Sequence, residues 1–510
     1  MKPRNSLSMN KYGCILSLCL LMCAASSVHA QRFERVLRRN PWHKSENVAG
    51  IRQDSVSCSY AEVYGRYSSG DFRESWQAPR TWGAGAVTES IRHLDRFSLK
   101  GAFSFDQTEG YDMCGSMFSE PGYYPLDVLE FTPGRKTKQT YAFDGGISAD
   151  LSEHWRIGAK MDFSAANLAK RKDLRHTNWR LDMTVVPGFM YHGSSFSAGA
   201  SYIFSKNAET INAEQIGSSG TSYFAFIDKG MMYGTYAVWN GSGIHLSESG
   251  VNGFPVKEIK NGVSVQMEAS GLFADLRYIR SMGTAGEKES VWFRFPGNEA
   301  GLLAGYRTRR DGMGHSALLS LGWKRQQTHE NVLEKVSGNG VASVVCHGSN
   351  IIAARETWRA APEYGYVADM WEIHAEAEFL MKNSLSSQMY PYIYTHSLAA
   401  LSVCVSGLVR VWKLDIGIEA GCSGGVLNED ARNEDADSGV QTAPFRLQDW
   451  YELQKEYWTA TRINAGLSCR YSFWKGLYCR LDADWTHAFG LSYIAGNDRM
   501  CLGLGVGYEF

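Results

Sequence analysis

The chain reads as an all-β protein: a transmembrane up-and-down antiparallel β-barrel of about 18 strands, with 16 or 20 as neighbouring counts. Three observations predict it. The first is the closing stretch Met500 to Phe510, in which Met500, Leu502, Leu504, Val506, Tyr508 and Phe510 share one face of a strand. The opposite face is Cys501, Gly503, Gly505, Gly507 and Glu509, nearly bare. An apolar face ending in aromatics, backed by small residues, suits a stave between lipid and lumen. The second is a rhythm of short turns alternating with long connections. The third is a Trp beside a cation at three short turns of the same polarity: His154-Trp155-Arg156, Val411-Trp412-Lys413 and Phe473-Trp474-Lys475. A membrane–water interface selects that pairing, aromatic ring plus snorkelling charge.

Composition agrees. The 510 residues are 44% hydrophobic and 13% aromatic, with 52 Gly and 12 Pro. The mean hydropathy of −0.29 is also what a barrel gives, because only every second strand residue meets lipid. A net charge of −1 leaves no basis for a nucleic-acid partner.

From the N-terminus, Lys2, Arg4 and Lys11 precede the apolar run Cys14 to Ala25 and then Ser26-Ser27-Val28-His29-Ala30. That is an export signal over residues 1–30, with cleavage expected between Ala30 and Gln31. The run is too short to span a bilayer. Residues 31–80 form an irregular N-terminal segment, either a first strand or a stretch tucked into the lumen. The barrel proper is expected over 81–510.

Regular alternation begins near Thr81. Strands are read over Trp82 to Ile91 and through Phe97, Leu99, Gly101, Phe103 and Phe105, followed by a long loop from Gln107 to Lys138. Tyr141 to Ala149 and Trp155 to Phe163 flank a short connection at Ser152-Glu153-His154. After a basic loop, Lys170 to His176, come Trp179 to Val185, with Arg180 and Asp182 turned away from Leu181 and Met183, and then Phe196 to Phe204. Further strands are read near Tyr223 to Ile227, Met231 to Trp239, Val263 to Ala269, Leu272 to Arg280, Gly301 to Arg309 and Ala317 to Trp323. The stretch from Arg325 to Ala368 reads as the longest loop.

Beyond it, Trp371, Ile373, Ala375, Ala377 and Phe379 face one way and Glu372, His374, Glu376 and Glu378 the other. Three carboxylates on one face demand water, so that face lines a wet lumen or open solvent. Tyr390 to Tyr394, Leu401 to Val409 and Trp412 to Ala420 follow, the last with Lys413, Asp415 and Glu419 inward. The acidic loop Asn428 to Trp450 suits a solvated surface. The last three strands run Ile463 to Phe473, Leu477 to Trp485, with Arg480, Asp482 and Asp484 inward, and Met500 to Phe510. Trp155, Trp412 and Trp474 are the expected interface tryptophans.

Chemistry-bearing motifs are scarce. The sequence has no phosphate loop, G-x-S-x-G or H-E-x-x-H, and no metal or cofactor is expected. Eight cysteines lie beyond the export signal without zinc spacing; a loop bridge from Cys114 to Cys346 is one pairing they would allow. Asp482, Asp484 and His487 could activate water, but a polar lumen face balanced by Arg480 is the simpler reading, so no enzyme is expected. Lys170, Arg171, Lys172 and Arg175 could meet an anionic lipid sugar, although a solvated loop explains them as well.

Asp173-Leu174-Arg175, Trp179-Arg180-Leu181-Asp182 and Pro187-Gly188-Phe189-Met190-Tyr191, together with the Asn40-Pro41 opening and the closing Phe510, resemble an uncharacterised outer-membrane β-barrel family of Bacteroidota type. The Asn40-Pro41 opening is also similar to barrels of the fatty-acid-transporter type, from which Trp42 departs by replacing a small residue. The resemblance implies outer-membrane location and barrel fold, and carries over no site. A terminal Phe510 with Tyr508 resembles the signal read by barrel-assembly machinery, which is one expected partner; outer-membrane lipid and other uptake or surface components are the rest. Function is expected to be transport of a small solute, with partner binding through large loops as the alternative and a barrel hydrolase as a distant third.

Overall fold

The computed structural model describes residues 40–53, 56–214, 225–230, 236–239, 251–287, 290–310, 313–338, 341–389, 392–432 and 447–510. The Ala30–Gln31 cleavage pair lies outside the described residues, as do 231–235 and most of the acidic loop. The first strands are β1 (Cys58–Gly70), β2 (Arg80–His93), β3 (Phe97–Ser116), β4 (Asp127–Asp150), β5 (Trp155–Lys170), β6 (Arg175–His192) and β7 (Phe196–Glu214). Two short strands follow, β8 (Ala225–Asp228) and β9 (Tyr236–Trp239). The next are β10 (Val251–Ala269), β11 (Leu272–Glu287), β12 (Ser290–Arg310), β13 (Met313–Gly338), β14 (Val341–Val367) and β15 (Trp371–Met389). Then come β16 (Tyr392–Val411), β17 (Leu414–Arg432), helix α1 (Leu447–Thr459), β18 (Thr461–Trp474), β19 (Leu477–Phe489) and β20 (Asp498–Glu509).

Every wall strand pairs antiparallel with its sequence neighbour, and β1 pairs with β20 through Tyr60↔Glu509 to Gly70↔Arg499, closing the cylinder. Strand β7 pairs directly with β10, so β8 and β9 are not staves. They form a hairpin laid on the end of β4, with Asp127↔Asp228 through Glu130↔Ala225. The twenty strands of the described residues thus make an 18-stave barrel, the expected count.

Tight turns mark one rim. Ser270-Gly271, Trp412-Lys413 and Lys475-Gly476 are two-residue turns containing positive φ angles, the geometry whose twist matches flanking strands. Lys413 is therefore an exposed turn residue, its Nζ 5.1 Å from the Trp412 ring; this corrects the expectation that it faces the lumen. The strand it was assigned to begins at Leu414, because positive φ at Trp412 turns the chain first.

The outward face is a belt of exposed apolar side chains, among them Phe103, Phe143, Ile157, Leu181, Val265, Leu276, Leu467 and Leu504. A soluble barrel could not leave so much contiguous apolar surface in water. Trp155 (48% exposed), Trp412 (85%) and Trp474 (68%) stand at the tight-turn rim. A second aromatic rim, Trp82, Trp179 and Trp485, lies toward the other end and went unread in the sequence. On β6, outward Trp179 and Phe189 are ten residues apart, the length a tilted strand needs to cross a bilayer.

The staves overshoot that band. Strands β3 and β4 consume most of the stretch from Gln107 to Lys138, leaving only residues 117–126 as loop. The supposed longest loop, Arg325 to Ala368, is mostly the tall hairpin of β13 and β14, paired from Gly314↔Val367 to Gly338↔Val341. Above the bilayer both faces meet water, so apolar alternation, the signal that marks a stave, is absent. No disulfide links the described cysteines: Cys114 is buried and Cys346 exposed, which overturns the loop bridge.

Candidate functional site

The lumen is obstructed from both ends by the chain itself. Near the tight-turn rim, residues 40–53 fold into two 3-10 turns inside the barrel. Asn40 caps the first, its Oδ1 accepting from the Trp42 amide at 3.1 Å, and Pro41 opens it. Trp42 is 2% exposed, packed edge-on against Phe273 with its indole N–H donating to Glu268 at 2.5 Å.

Val48 and Ile51 pack with Cys58, Tyr60, Val87 and Ile91; the other contacts are polar and fan out around the wall. Lys44 pairs with Glu363 (2.6 Å), Ser45 donates to Asp275 (2.7 Å), and Glu46 meets Arg277 (3.1 Å) and Lys160 (3.4 Å). Asn47 Nδ2 donates to the Phe189 carbonyl and to Gln266 Oε1, both at 3.0 Å. Arg52 pairs with Asp150 at 3.0 Å.

What lets the segment sit this close is a bare seat. Gly146, Gly158, Gly188 and Gly199 occupy inward positions on four consecutive strands, β4 to β7. A Cβ at Gly158 would lie 2.7 Å from the Ala49 amide nitrogen, and one at Gly188 2.4 Å from Asn47 Oδ1. Four inward glycines on neighbouring staves were the sequence signal for this seat.

At the opposite mouth, the 117–126 loop turns inward. Met117, Phe118, Tyr124 and Leu126 join Ile211, Phe254, Phe293, Phe295 and the β8 residues in a buried apolar cluster. Polar wall groups tie the loop backbone: Asn178 donates to the Met117 carbonyl (3.0 Å), Lys136 to that of Ser116 (2.9 Å) and Lys138 to that of Ser119 (2.8 Å). From the far wall, Arg355 on β14 donates to the carbonyls of Gly122, Tyr123 and Tyr124 at 2.9 to 3.3 Å.

Beside this loop, α1 packs Tyr457 and Trp458 against Leu380, Leu398 and Ala400. Its Trp458 indole donates to Glu74 at 3.1 Å. Burial raises the Glu74 carboxyl above the ordinary range, opposed by the Trp458 bond and by Lys382 and Arg462 nearby. A raised folded-state value means that the buried site favours the neutral Glu74 carboxyl: that contribution to stability is fully present below the ordinary Glu value near ~4.3 and is lost as pH rises through the raised value. Glu74→Gln keeps the acceptor and loses the titration. The thermal midpoint of the wild type should therefore fall relative to the variant as pH rises; parallel profiles would refute this.

Several residues that alternation turns away from the apolar belt form ion pairs with one another. Arg180 pairs with Glu120 of the mouth loop and with Asp182 (3.1 Å). Glu372 and Asp415 share Arg410, and Glu378 pairs with Arg359 at 2.5 Å. His374 lies 3.7 Å from Glu376. Arg480 bridges Asp482 and Glu62. Glu419 and Asp484 flank Gly466 in register.

The Asp482–Asp484–His487 constellation does not assemble. His487 lies on the outward face with Trp485 and bonds Asp498 at 2.8 Å. Lys170 is not a surface cation either: it is 2% exposed and pairs with Glu130 at 2.5 Å.

A family model described as a family of unknown function, DUF6850, matches residues 48–510. The chain belongs to the DUF6850 family. The matched stretch begins inside the lumen segment and runs to Phe510, so the DUF6850 pattern takes in all the staves. No curated protein matches. Solved structures similar to the chain include Pseudomonas aeruginosa FpvA bound to pyoverdines, at 9% identity and a TM-score of 0.40, covering 89% of this chain and 72% of that one. Another is the ferric-catecholate import receptor Fiu of Escherichia coli, at 7% identity and 0.40, covering 90% and 82%. A third is Pseudomonas aeruginosa OpdK with vanillate, at 9% and 0.35, covering 89% and 98%.

Proposed function

We propose that this DUF6850 protein is an outer-membrane conduit for a small solute, held closed by its own inserts. The observation that carries the reading is the polar, ion-paired packing of residues 40–53 against a charged wall. Small barrels fill with apolar side chains, whereas 18 staves leave space that side chains alone do not fill. Here the space near the tight-turn rim is filled by a segment that packs Trp42, Val48 and Ile51 into small apolar clusters and is otherwise attached through exchangeable hydrogen bonds and ion pairs, which water can replace at little net cost.

In this reading residues 1–30 are removed on export, the tight turns are periplasmic and the tall hairpins extracellular. Barrel-assembly machinery reads the outward Tyr508 and Phe510. The sequence resemblance described above supports a Bacteroidota-type source. Catalysis has no part in it.

Planar-bilayer recording tests the reading. The mature protein should be silent or open rarely, and the Trp42→Ala/Asn47→Ala variant with the mouth loop 117–126 also shortened, stripped of both obstructions, should give steady stepwise current. A folded variant that stays silent would sink the conduit. A second reading, partner capture by the loops, is favoured by the tall hairpin, where residues 345–350 are exposed on both faces. Shortening that hairpin would then abolish partner binding with the barrel intact.

A further inference from the structure

The mouth loop brings a single charge into the lumen. Among residues 117–126 only Glu120 is ionised at neutral pH. Its carboxylate sits on the guanidinium of Arg180, which also lies 4.4 Å from the centre of the Tyr123 ring. Arg180 is 7% exposed, and its buried Nε has no hydrogen-bond partner. The Glu120 side chain, by contrast, is half accessible to water.

The wall that receives the loop holds a surplus of positive charge. Linked to the loop directly or through one another are the cations Lys138, Arg180, Lys260, Lys324 and Arg355. The carboxylates in the same network are Asp182, Glu209, Glu258 and Glu299. The cations exceed the carboxylates by one, and Glu120 makes up the difference. Lys138 and Arg355 have no carboxylate within ion-pairing distance among the described residues; they donate to loop carbonyls instead. At the loop's foot the imbalance recurs. Lys136 and Lys170 share the one carboxylate of Glu130, at 3.2 and 2.5 Å. His176, next to Lys170 in register and 1% exposed, has no partner at either ring nitrogen.

We propose that the solute carries a carboxylate and opens the mouth by displacing Glu120 from Arg180. This rests on the conduit reading and names its substrate class. The Glu120 side chain is a tethered propionate, and arginine recognises that planar group in free acids as well, through paired donors. Lifting the loop alone strands a buried guanidinium, which is costly. An incoming carboxylate replaces the lost charge like for like, which a neutral or cationic solute does not do.

The test is limited proteolysis of the full mature chain in detergent with chymotrypsin, which cuts after Phe118 and Tyr123 once the loop is free. Sodium propionate should raise cleavage within 117–126 several-fold over sodium chloride at equal ionic strength, and neutral propionamide should not. Glu120→Gln, near-isosteric and at a half-exposed side chain, should raise cleavage with no propionate present. Arg180→Gln should be cleaved equally with and without it. Equal cleavage of the wild type in propionate, chloride and propionamide overturns the inference and leaves the conduit standing. The conduit fails separately, when the barrel with both obstructions removed passes no current; propionate-driven cleavage would then still mark Arg180 as a carboxylate site.

Discussion

Gly158→Leu should lift residues 40–53 from their seat and, with the mouth loop 117–126 shortened, convert a closed barrel into a conducting one. The new side chain would start 2.7 Å from the Ala49 backbone nitrogen and 2.8 Å from Val48 Cγ1, and backbone cannot swing aside as a side-chain tip can. Overpacking of this kind costs about 1–3 kcal/mol where neighbours can yield, and more where they are main chain. The individual bonds opposing it, such as Asn47 to Phe189 and Gln266, contribute about 1 kcal/mol each. The stave itself should tolerate leucine, since glycine inside a strand is a weakness rather than a support. Two readouts follow: protease cleavage within residues 40–53 and stepwise current in a bilayer. Gly101, whose Cβ would meet nothing within 4 Å, supplies the control, because Gly101→Leu should change neither. A Gly158→Leu barrel as protected and silent as the wild type would show that the seat does not hold the segment.

Glu62→Ala should produce the largest loss of stability. Glu62 on β1 is 3% exposed and accepts from Arg480 at 2.6 Å and from Tyr478 at 2.8 Å, both on β19. These partners meet across β20, whose Gly505 and Gly507 leave room: a Cβ at Gly505 would lie 2.8 Å from Glu62 Oε1. Strands β1 and β19 thus clasp each other over β20, at the seam that closes the cylinder. Removing the carboxylate strands a buried guanidinium, a change that costs about 3–5 kcal/mol where no other partner remains; Asp482, at 3.2 Å from Arg480, holds the effect toward the lower end. The denaturant midpoint of the detergent-folded barrel should drop accordingly, and Glu62→Gln should lose less. An unchanged midpoint would mean the seam does not depend on this clasp.

The bare face of the closing strand was plain in the sequence as alternation, but its purpose was not. Gly503, Gly505 and Gly507 read as small lumen residues, while the side chains they make room for sit more than 400 positions away in the case of Glu62. The same limit explains most of what escaped. Glu372, Glu376, Asp415, Glu419, Asp482 and Asp484 could be assigned inward because lipid enforces a two-residue period on their neighbours. Where lipid ends the period ends, so the tall hairpin of β13 and β14 read as loop. Whether Pro41, Trp42 and the residues after them lie in a stave or in the lumen depends on distant glycines that no local pattern connects to them. Met117, Phe118 and Leu126 were a clue of a different kind, being too apolar for a loop exposed to water.

The height of that hairpin joins two ends of the molecule mechanically. Arg355 and the outermost hairpin residue Val341 belong to the same strand, β14, fourteen positions apart and tied to β13 by a ladder broken only at Thr328/His329 and Val332/Leu333. A load on the crest has no hinge to dissipate it other than those two bulges. It arrives at the guanidinium gripping the carbonyls of Gly122, Tyr123 and Tyr124, so the crest is a lever whose short arm ends on the mouth loop.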